Sequence, residues 1–544
     1  MSAPANAQIR VPVAIVGAGP VGVTAANLLG TYGIATLLVD RANEIIDYPR
    51  AIGIDDESLR TFQSVGLADD VLADAIQNVP LKMIDAKGHC LADMHPTGRD
   101  SGWFKRNIFM QPLAEKTLRT GVERFTHVRA EWGLELRVVE PADDSVTLTL
   151  AGADGRAVTV VADWVVAADG GRSTIRTQLG IPLDGATHPR KWVVIDCGND
   201  PVDAPYTALH CDPRRPYVCA RLPYDHRRWE FMLYPGEDAE EMLAPERVRD
   251  LLGQHVPDPA AIEVIRARVY THHSRIARRF VQGRVVLVGD AAHLMPPWAG
   301  QGMNTGIRDV TNLCWKLAAI VRGDATPALL HTYEQERRAH AQAMIDLSTT
   351  LGRILSPTNQ TLAHVRNWLL RAASAAPPVK QWILEMRFKA QPHYQSTLVT
   401  GEPLGCPIPT LGRMFPQPTV ETEDGLRLAL DDVLGPWFAI IGFNCDPLAG
   451  LNADQSAALA ALGAVVVRVV ESRAGERRRR QPCVDPDTVV VEDADNALRT
   501  WFGARKQQVV LLRPDRYVAV LARVETFGAE ATMFARHLTE GAPL

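Results

Sequence analysis

Val13-Ala14-Ile15-Val16-Gly17-Ala18-Gly19-Pro20-Val21-Gly22 runs from an apolar strand straight into a G-x-G-x-x-G turn and on into the helical stretch Val23 to Leu29. Strand, glycine turn and helix in that order form the dinucleotide-binding fingerprint. Gly17 permits the tight turn, Gly19 lets the backbone approach a pyrophosphate, and Gly22, with the small Ala26, lets the helix lie close to the sheet. A second strand, Ala35 to Val39, ends in Asp40, 18 residues after Gly22 and followed by Arg41. An acid there accepts hydrogen bonds from a ribose diol. The glycines alone also fit a turn in some other α/β fold, and it is Asp40 in register that favours a nucleotide.

Two later segments repeat the theme of an apolar strand broken at an acid and a glycine. One is Trp164-Val165-Val166-Ala167-Ala168-Asp169-Gly170-Gly171-Arg172-Ser173-Thr174-Ile175-Arg176, the other Arg284-Val285-Val286-Leu287-Val288-Gly289-Asp290-Ala291-Ala292-His293. A dehydrogenase that binds only a nicotinamide nucleotide has no need of them. A flavin with a ribityl chain does: Asp290 at a strand end can hold the ribityl hydroxyls while Gly289 lets the cofactor pass close to the backbone. FAD is therefore the expected cofactor. The loop Met295-Pro296-Pro297-Trp298-Ala299-Gly300-Gln301-Gly302-Met303-Asn304-Thr305-Gly306 then leads into a helical pattern through Ile307, Val310, Leu313, Cys314 and Leu317. Amides from Gly300 to Asn304 would present a positive helix end to the flavin pyrimidine edge, where charge collects on reduction.

Composition narrows the alternatives. The chain has 544 residues, 46% hydrophobic and 22% charged, which suits a multidomain globular protein and neither disorder nor a fibre. Its net charge of −5 offers no attraction to nucleic acid or an anionic membrane. The longest apolar run, Ala457 to Val467, falls short of the roughly 20 residues of a bilayer span. Met1 to Arg10 is polar, without the apolar core of a secretory signal, so a cytoplasmic location is expected. No two of the eight cysteines share C-x-x-C spacing, so all are read as reduced, with neither a zinc ribbon nor a dithiol centre.

In order along the chain, the G-x-G-x-x-G start, the D-G-x-x-S-x-x-R segment from Asp169 to Arg176 and the G-D-A-A-H segment from Gly289 to His293 resemble the class A flavoprotein aromatic hydroxylases. Ile46 to Glu57, Cys211 to Val218 and Gln335-Glu336-Arg337-Arg338 are similar to the members that act on 3-(3-hydroxyphenyl)propionate, and the similarity runs over essentially the whole chain. The resemblance implies that NADH, with NADPH left open, reduces FAD, and that O2 then oxygenates a phenolic acid ortho to its hydroxyl. The product would be a 2,3-dihydroxy catechol, made from 3-(3-hydroxyphenyl)propionate or 3-hydroxycinnamate in aromatic-acid catabolism. No metal is required.

The same resemblance assigns residues. The Asp169-Gly170 segment goes with the flavin and pyridine-nucleotide pyrophosphates, Gln111 with the ribityl chain, and Arg50 with the FAD pyrophosphate or the incoming nicotinamide nucleotide. The backbone carbonyl of Pro297 can meet the substrate hydroxyl, with Gly300, Gln301 and Gly302 completing the reacting loop and Met303 and Asn304 on the cofactor side. Trp298 and Ala299 are expected beside the substrate ring. Family members carry Val and Gln where this chain has Pro297 and Ala299, which leaves a 3-(2-hydroxyphenyl)propionate, or another substituted phenol, as the alternative substrate.

The fold expected is α/β: a discontinuous Rossmann-like FAD-binding domain in residues 1–75, 106–182 and 276–350, with an inserted β-sheet substrate domain in 76–105 and 183–275. A helical linker, 351–404, and a thioredoxin-like α/β domain, 405–544, would follow. Thr326-Pro327 reads as the N-cap and first residue of a long helix, and Ala375-Ala376-Pro377-Pro378 interrupts the next. For the substrate carboxylate, Arg221, Arg227 and Arg228 are the candidate cations. His293, His272 and His273 are read as structural, the Arg477–Arg480 run as a solvated loop, and the C-terminal domain, with Cys445 alone near the relevant turn, as a packing domain. A flavin-free dehydrogenase and a non-catalytic flavin-binding scaffold are the competing classes; a homodimer stays open.

Overall fold

The computed structural model describes residues 7–199, 201–256, 258–400, 410–472, 481–503 and 508–540. The Arg477–Arg480 run and the domain start near Gly405 lie outside the described residues.

Val13, Ala14 and Ile15 are fully buried, as a strand with both faces covered demands. Strand Ala7–Val16 lies between Ala157–Ala167 and Thr36–Asp40, parallel to both, with Val16 opposite Ala167 on one side and Val39 on the other. The sheet continues through Val285–Leu287 to Val281–Gln282 on one side and to Val128–Trp132 on the other. The ends Gly17, Asp40 and Ala168–Asp169 thus meet where the connections diverge, the place where open α/β sheets bind ligands. Helices Pro20–Thr31 and Gly302–Arg322 pack together beside this sheet.

A second sheet of eight strands runs His293–Leu294, Glu263–Ala277, Leu183–Gly198, Arg227–Met232, Tyr217–Arg221, Thr207–Cys211, Leu81–Asp85 and Cys90–Met94. Between the register shifts near Thr187–Lys191, Asp196–Cys197 and Met83–Ile84, its strands alternate between faces. Tyr217, Trp229 and Phe231 pack with Val248, Leu251 and Leu252 of helix Pro245–Gly253. Val194, Glu230, Val218 and Leu209, each directly opposite the next in register, form a row on the other face.

The long helix Leu329–Leu355 begins at Leu329 with Ala328 as N-cap, so Thr326-Pro327 does not open it. The Thr326 amide instead donates to the Leu538 carbonyl of the C-terminal helix, 3.1 Å, and this docking holds the segment as a tight turn. Helix Gln360–Ala375 ends and Pro377–Leu384 begins where the Pro pair predicts.

The C-terminal unit has strand order Arg427–Ala429, Thr419–Glu421, Val489–Asp493, Val465–Glu471, Ala439–Phe443, Gln508–Leu512, Val518–Arg523. Its three parallel central strands, antiparallel pair at one side and covering helices give it the thioredoxin-like fold. Burial pushes the Cys445 thiol up to about 12, so it is not a reactive thiolate. The domain docks through aromatic contacts, Trp315 to Phe438 at 5.6 Å and Tyr32 to Trp437 at 5.3 Å between ring centres, and through a two-pronged Arg60–Asp431 ion pair.

Candidate active site

A chamber of about 1000 Å³ runs from the glycine turn, between the two large sheets, to Trp298. At one end it is lined by Gly17, Gly19, Asp40 and Arg41, then by Arg50, Gln111, Asp169 and Gly170. Asp290, Pro297, Trp298, Gly300, Gln301, Gly302 and Met303 line its middle and far end. Residues widely separated in sequence therefore share one wall.

The turn at Gly17 has φ +102°, and a Cβ there would lie 2.3 Å from the Ala168 carbonyl oxygen. Asp40 accepts hydrogen bonds from the Ala18 amide, 2.6 Å, and the Ala42 amide, 2.7 Å, fixing the loop at this end of the chamber. The Gln111 side-chain Oε1 accepts from the Arg50 and Ala51 backbone amides, 2.9 and 2.6 Å, while its Nε2 donates to Glu115. One role of Gln111 is thus to hold the Arg50 loop against the chamber.

Two acids are open to a ligand. Asp169 accepts from the Ile175 amide at 3.1 Å, while its Oδ1 is buried without a partner of good geometry. Burial raises its pKa against the pull of the Ser173 hydroxyl. Asp290 is crowded by protein, which also raises its pKa, yet its side chain opens into the chamber. Both suit hydroxyl donors. Helix Gly302–Arg322 directs its first amides, which lack intrahelical acceptors, at the same space. These orphaned acceptors, free amides and the open approach at Gly19, where nothing lies within 4 Å of a built Cβ, fit an extended dinucleotide with a polyol chain.

Five expected residues do not line the chamber, Gly22 among them in the packing role its spacing predicts. Gly22 packs helix on sheet, a Cβ there falling 1.8 Å from the Gly17 carbonyl oxygen. Gly289, φ +56°, is approached by Val21 and by Gly306, whose added Cβ would lie 3.0 Å from the Gly289 Cα, so its lack of a side chain lets helix Gly302–Arg322 pack close. Asn304 braces the loop, donating to the Gly53 and Gly300 carbonyls at 3.1 and 2.7 Å and accepting from the Ser58 hydroxyl at 2.8 Å. Ala299 faces a second cavity of about 470 Å³. Arg221 follows Tyr217 and Cys219 onto the opposite face of its strand from the chamber-lining Val218.

The same alternation separates the three candidate arginines. Arg227 turns away, donating to the Val202 carbonyl at 2.8 Å, and Arg228 faces the chamber. Arg228 is already engaged by Asp196, Nε to Oδ1 2.7 Å, and by the Pro49 and Arg50 carbonyls. Beside it Glu230 faces the chamber, its pKa raised by burial and held back by Arg228. His272, read as structural, in fact lines the chamber edge-on to Trp298, 4.9 Å between ring centres, with burial pushing its pKa down to about 3. Arg106 and Thr207 were also missed; nothing in their local sequence distinguishes them. His293 is buried and bonded through Nε2 to Asp309, 2.7 Å, a structural role.

A family model described as FAD binding domain matches residues 10–348, and one described as HcaD C-terminal domain matches 412–537. The chain belongs to the class A flavin-dependent aromatic hydroxylases. The hydroxylase is 54% identical over 518 residues, 95% of its length and 94% of the relative's, to the 3-(3-hydroxy-phenyl)propionate/3-hydroxycinnamic acid hydroxylase 2 of Burkholderia vietnamiensis. It is 46% identical to the enzyme named 3-(3-hydroxy-phenyl)propionate/3-hydroxycinnamic acid hydroxylase of Escherichia coli, covering 97% of this chain and 95% of that one. Among solved structures, the flavin-dependent monooxygenase PieE in complex with FAD and substrate superposes with a TM-score of 0.81 at 23% identity, covering 98% of this chain and 100% of that one. That likeness carries the fold. The hydroxylase is thus an FAD-dependent aromatic monooxygenase, and no helix among its described residues is long and apolar enough to cross a membrane.

Proposed function

We propose that this enzyme uses NADH and O2 to hydroxylate 3-(3-hydroxyphenyl)propionate and 3-hydroxycinnamate ortho to the phenol, giving the 2,3-dihydroxy products for aromatic-acid catabolism in the cytoplasm. The observation that carries this reading is 54% identity, over nearly the full length, to a relative named for those two substrates. FAD, when bound, supplies the acceptance of two electrons from the nicotinamide and the activation of O2. The chain's own residues do the rest. Asp290 and Asp169 would accept hydrogen bonds from cofactor hydroxyls, and the first amides of helix Gly302–Arg322 would help hold the flavin. The Pro297 carbonyl accepts the phenol proton's hydrogen bond, while Trp298 and the neutral His272 pack the ring and exclude water.

The test uses purified holoenzyme with 2-hydroxyphenyl, 3-hydroxyphenyl and 4-hydroxyphenyl propionates and the matching cinnamates, NADH and NADPH in parallel. One added oxygen on the 3-hydroxy acids, at the ring carbon between the hydroxyl and the side chain, with faster NADH oxidation in their presence, is the expected result. Preferential turnover of the 2-hydroxy acid, or equal NADH oxidation with and without every phenol, overturns it.

A further inference from the structure

A substrate with a carboxylate needs a cation at the buried end of the chamber, and the cations lining it can be sorted. Arg41, Arg50, Arg172 and Arg268 are exposed to solvent. Arg119 lies over the Trp132 ring, 4.3 Å, and Arg266 over the Tyr48 ring, 3.1 Å. Arg228 is spent on Asp196 and two carbonyls. Arg106 remains. It lines both the chamber and the second cavity, so it stands in the partition between them.

Only its Nε is engaged, donating to the Val79 carbonyl at 3.0 Å; among the described residues its two terminal nitrogens have no hydrogen-bond partner. Burial alone pulls its pKa down to about 10, with no carboxylate opposing the pull. It is therefore a protonated guanidinium at neutral pH, without an ion-pair partner among the described residues. A half-buried, partly desolvated cation in that state is well placed to meet a ligand anion.

A second orphan sits at the same place. Thr207 is 5% exposed, lines the chamber, and its Oγ1 is buried with no partner. Its amide donates to the Pro80 carbonyl at 3.0 Å, one residue on from the carbonyl that holds Arg106. The segment Val79–Leu81 therefore gathers a fork of guanidinium donors and a hydroxyl donor beside the apolar Leu81, Ile108 and Leu209. A planar guanidinium and one hydroxyl suit a carboxylate, and the apolar residues suit the methylenes joining it to a ring.

We propose that Arg106 and Thr207 bind the carboxylate of the aryl-propanoate substrate and so set specificity for the acid. This rests on the proposed function and deepens it. Bound there, the acid is anchored at the Val79–Leu81 end and its ring extends towards Pro297 and Trp298.

The test compares 3-(3-hydroxyphenyl)propionate with its primary amide, equal in length and uncharged, on holoenzyme. Affinity is read from the flavin absorbance change, and turnover as KM and kcat separately. Wild type should prefer the acid. Arg106→Met should weaken acid binding by about 10–150-fold, amide binding by less than about 3-fold, and act on KM more than on kcat. Arg106→Lys restores the charge without the fork and should recover part of the preference. Thr207→Val, nearly the same shape, should reduce the preference by about 3–10-fold, and it decides the matter if Arg106→Met fails to retain FAD. Wild-type acid-over-amide preference retained in these variants overturns the inference while leaving the proposed function intact. A wild-type enzyme that hydroxylates none of the hydroxyphenyl propionates overturns the proposed function instead.

Discussion

Arg513 of the C-terminal domain meets Glu336 of helix Leu329–Leu355 in a two-pronged ion pair, Nη1 to Oε1 2.6 Å and Nη2 to Oε2 2.9 Å, with both side chains fully buried. Lys316 donates to the same carboxylate at 2.8 Å, and Arg513 also grips Asp515. Glu336 thus joins the helix behind the flavin loop to the domain that caps it.

Removing its charge leaves two buried cations short of a partner. Glu336→Gln should destabilise the enzyme by about 3–5 kcal/mol, seen as a lower unfolding temperature and a shorter half-life on heating. Arg513 and Lys316 hold the Glu336 pKa far below its usual 4.5. Its contribution is therefore present above about pH 4.5 and is lost as pH falls towards the folded value. The gap between wild type and variant should shrink below that pH; a constant gap from pH 7 to pH 3.5 would show that the charge is not what stabilises.

Asp290 is open to the chamber and makes no side-chain hydrogen bond to described residues. Asp290→Ala should cost about 1.5–3 kcal/mol of FAD affinity, giving protein purified largely without flavin. Absorbance at the flavin band against protein concentration checks this, and full occupancy in the variant would remove Asp290 from the cofactor site.

Ala299 packs with Trp192, Trp298 and Leu351 and faces the second cavity. Ala299→Gln should overpack this cluster, costing about 1–3 kcal/mol of stability. The ratio of kcat/KM for 2-hydroxyphenyl and 3-hydroxyphenyl propionates should stay within about twofold. A tenfold change in that ratio would place residue 299 in contact with the ring after all.

Burial pushes the His272 pKa down to about 3, so the imidazole is neutral near pH 7. It can pack against the substrate but not attract its carboxylate. The pH profile of KM for the acid should show no break near 6.5 that disappears in His272→Phe; such a break would mean that His272 titrates and acts as a cation.

The glycine turn, the two acid-bearing strand ends and the loop into helix Gly302–Arg322 were legible because each rests on a short stretch of backbone. A tight turn needs Gly17 whatever surrounds it, and an apolar strand that stops at an acid is local in the chain. Resemblance over the whole length added the class of reaction. Which way a side chain faces is set by register, and register depends on pairing between distant strands. That is why Arg221, Arg227 and Arg228 could not be told apart until Val218 and Glu230 were found on the chamber row. That Ala299 lines the second cavity and Gly289 packs against Val21 was not legible for the related reason that their neighbours, Trp192 and Val21, come from elsewhere in the fold. Arg106 carries no signal in sequence. Its meaning comes from what tertiary structure leaves open: a half-buried guanidinium, held at one nitrogen by Val79, with no ion-pair partner among the described residues.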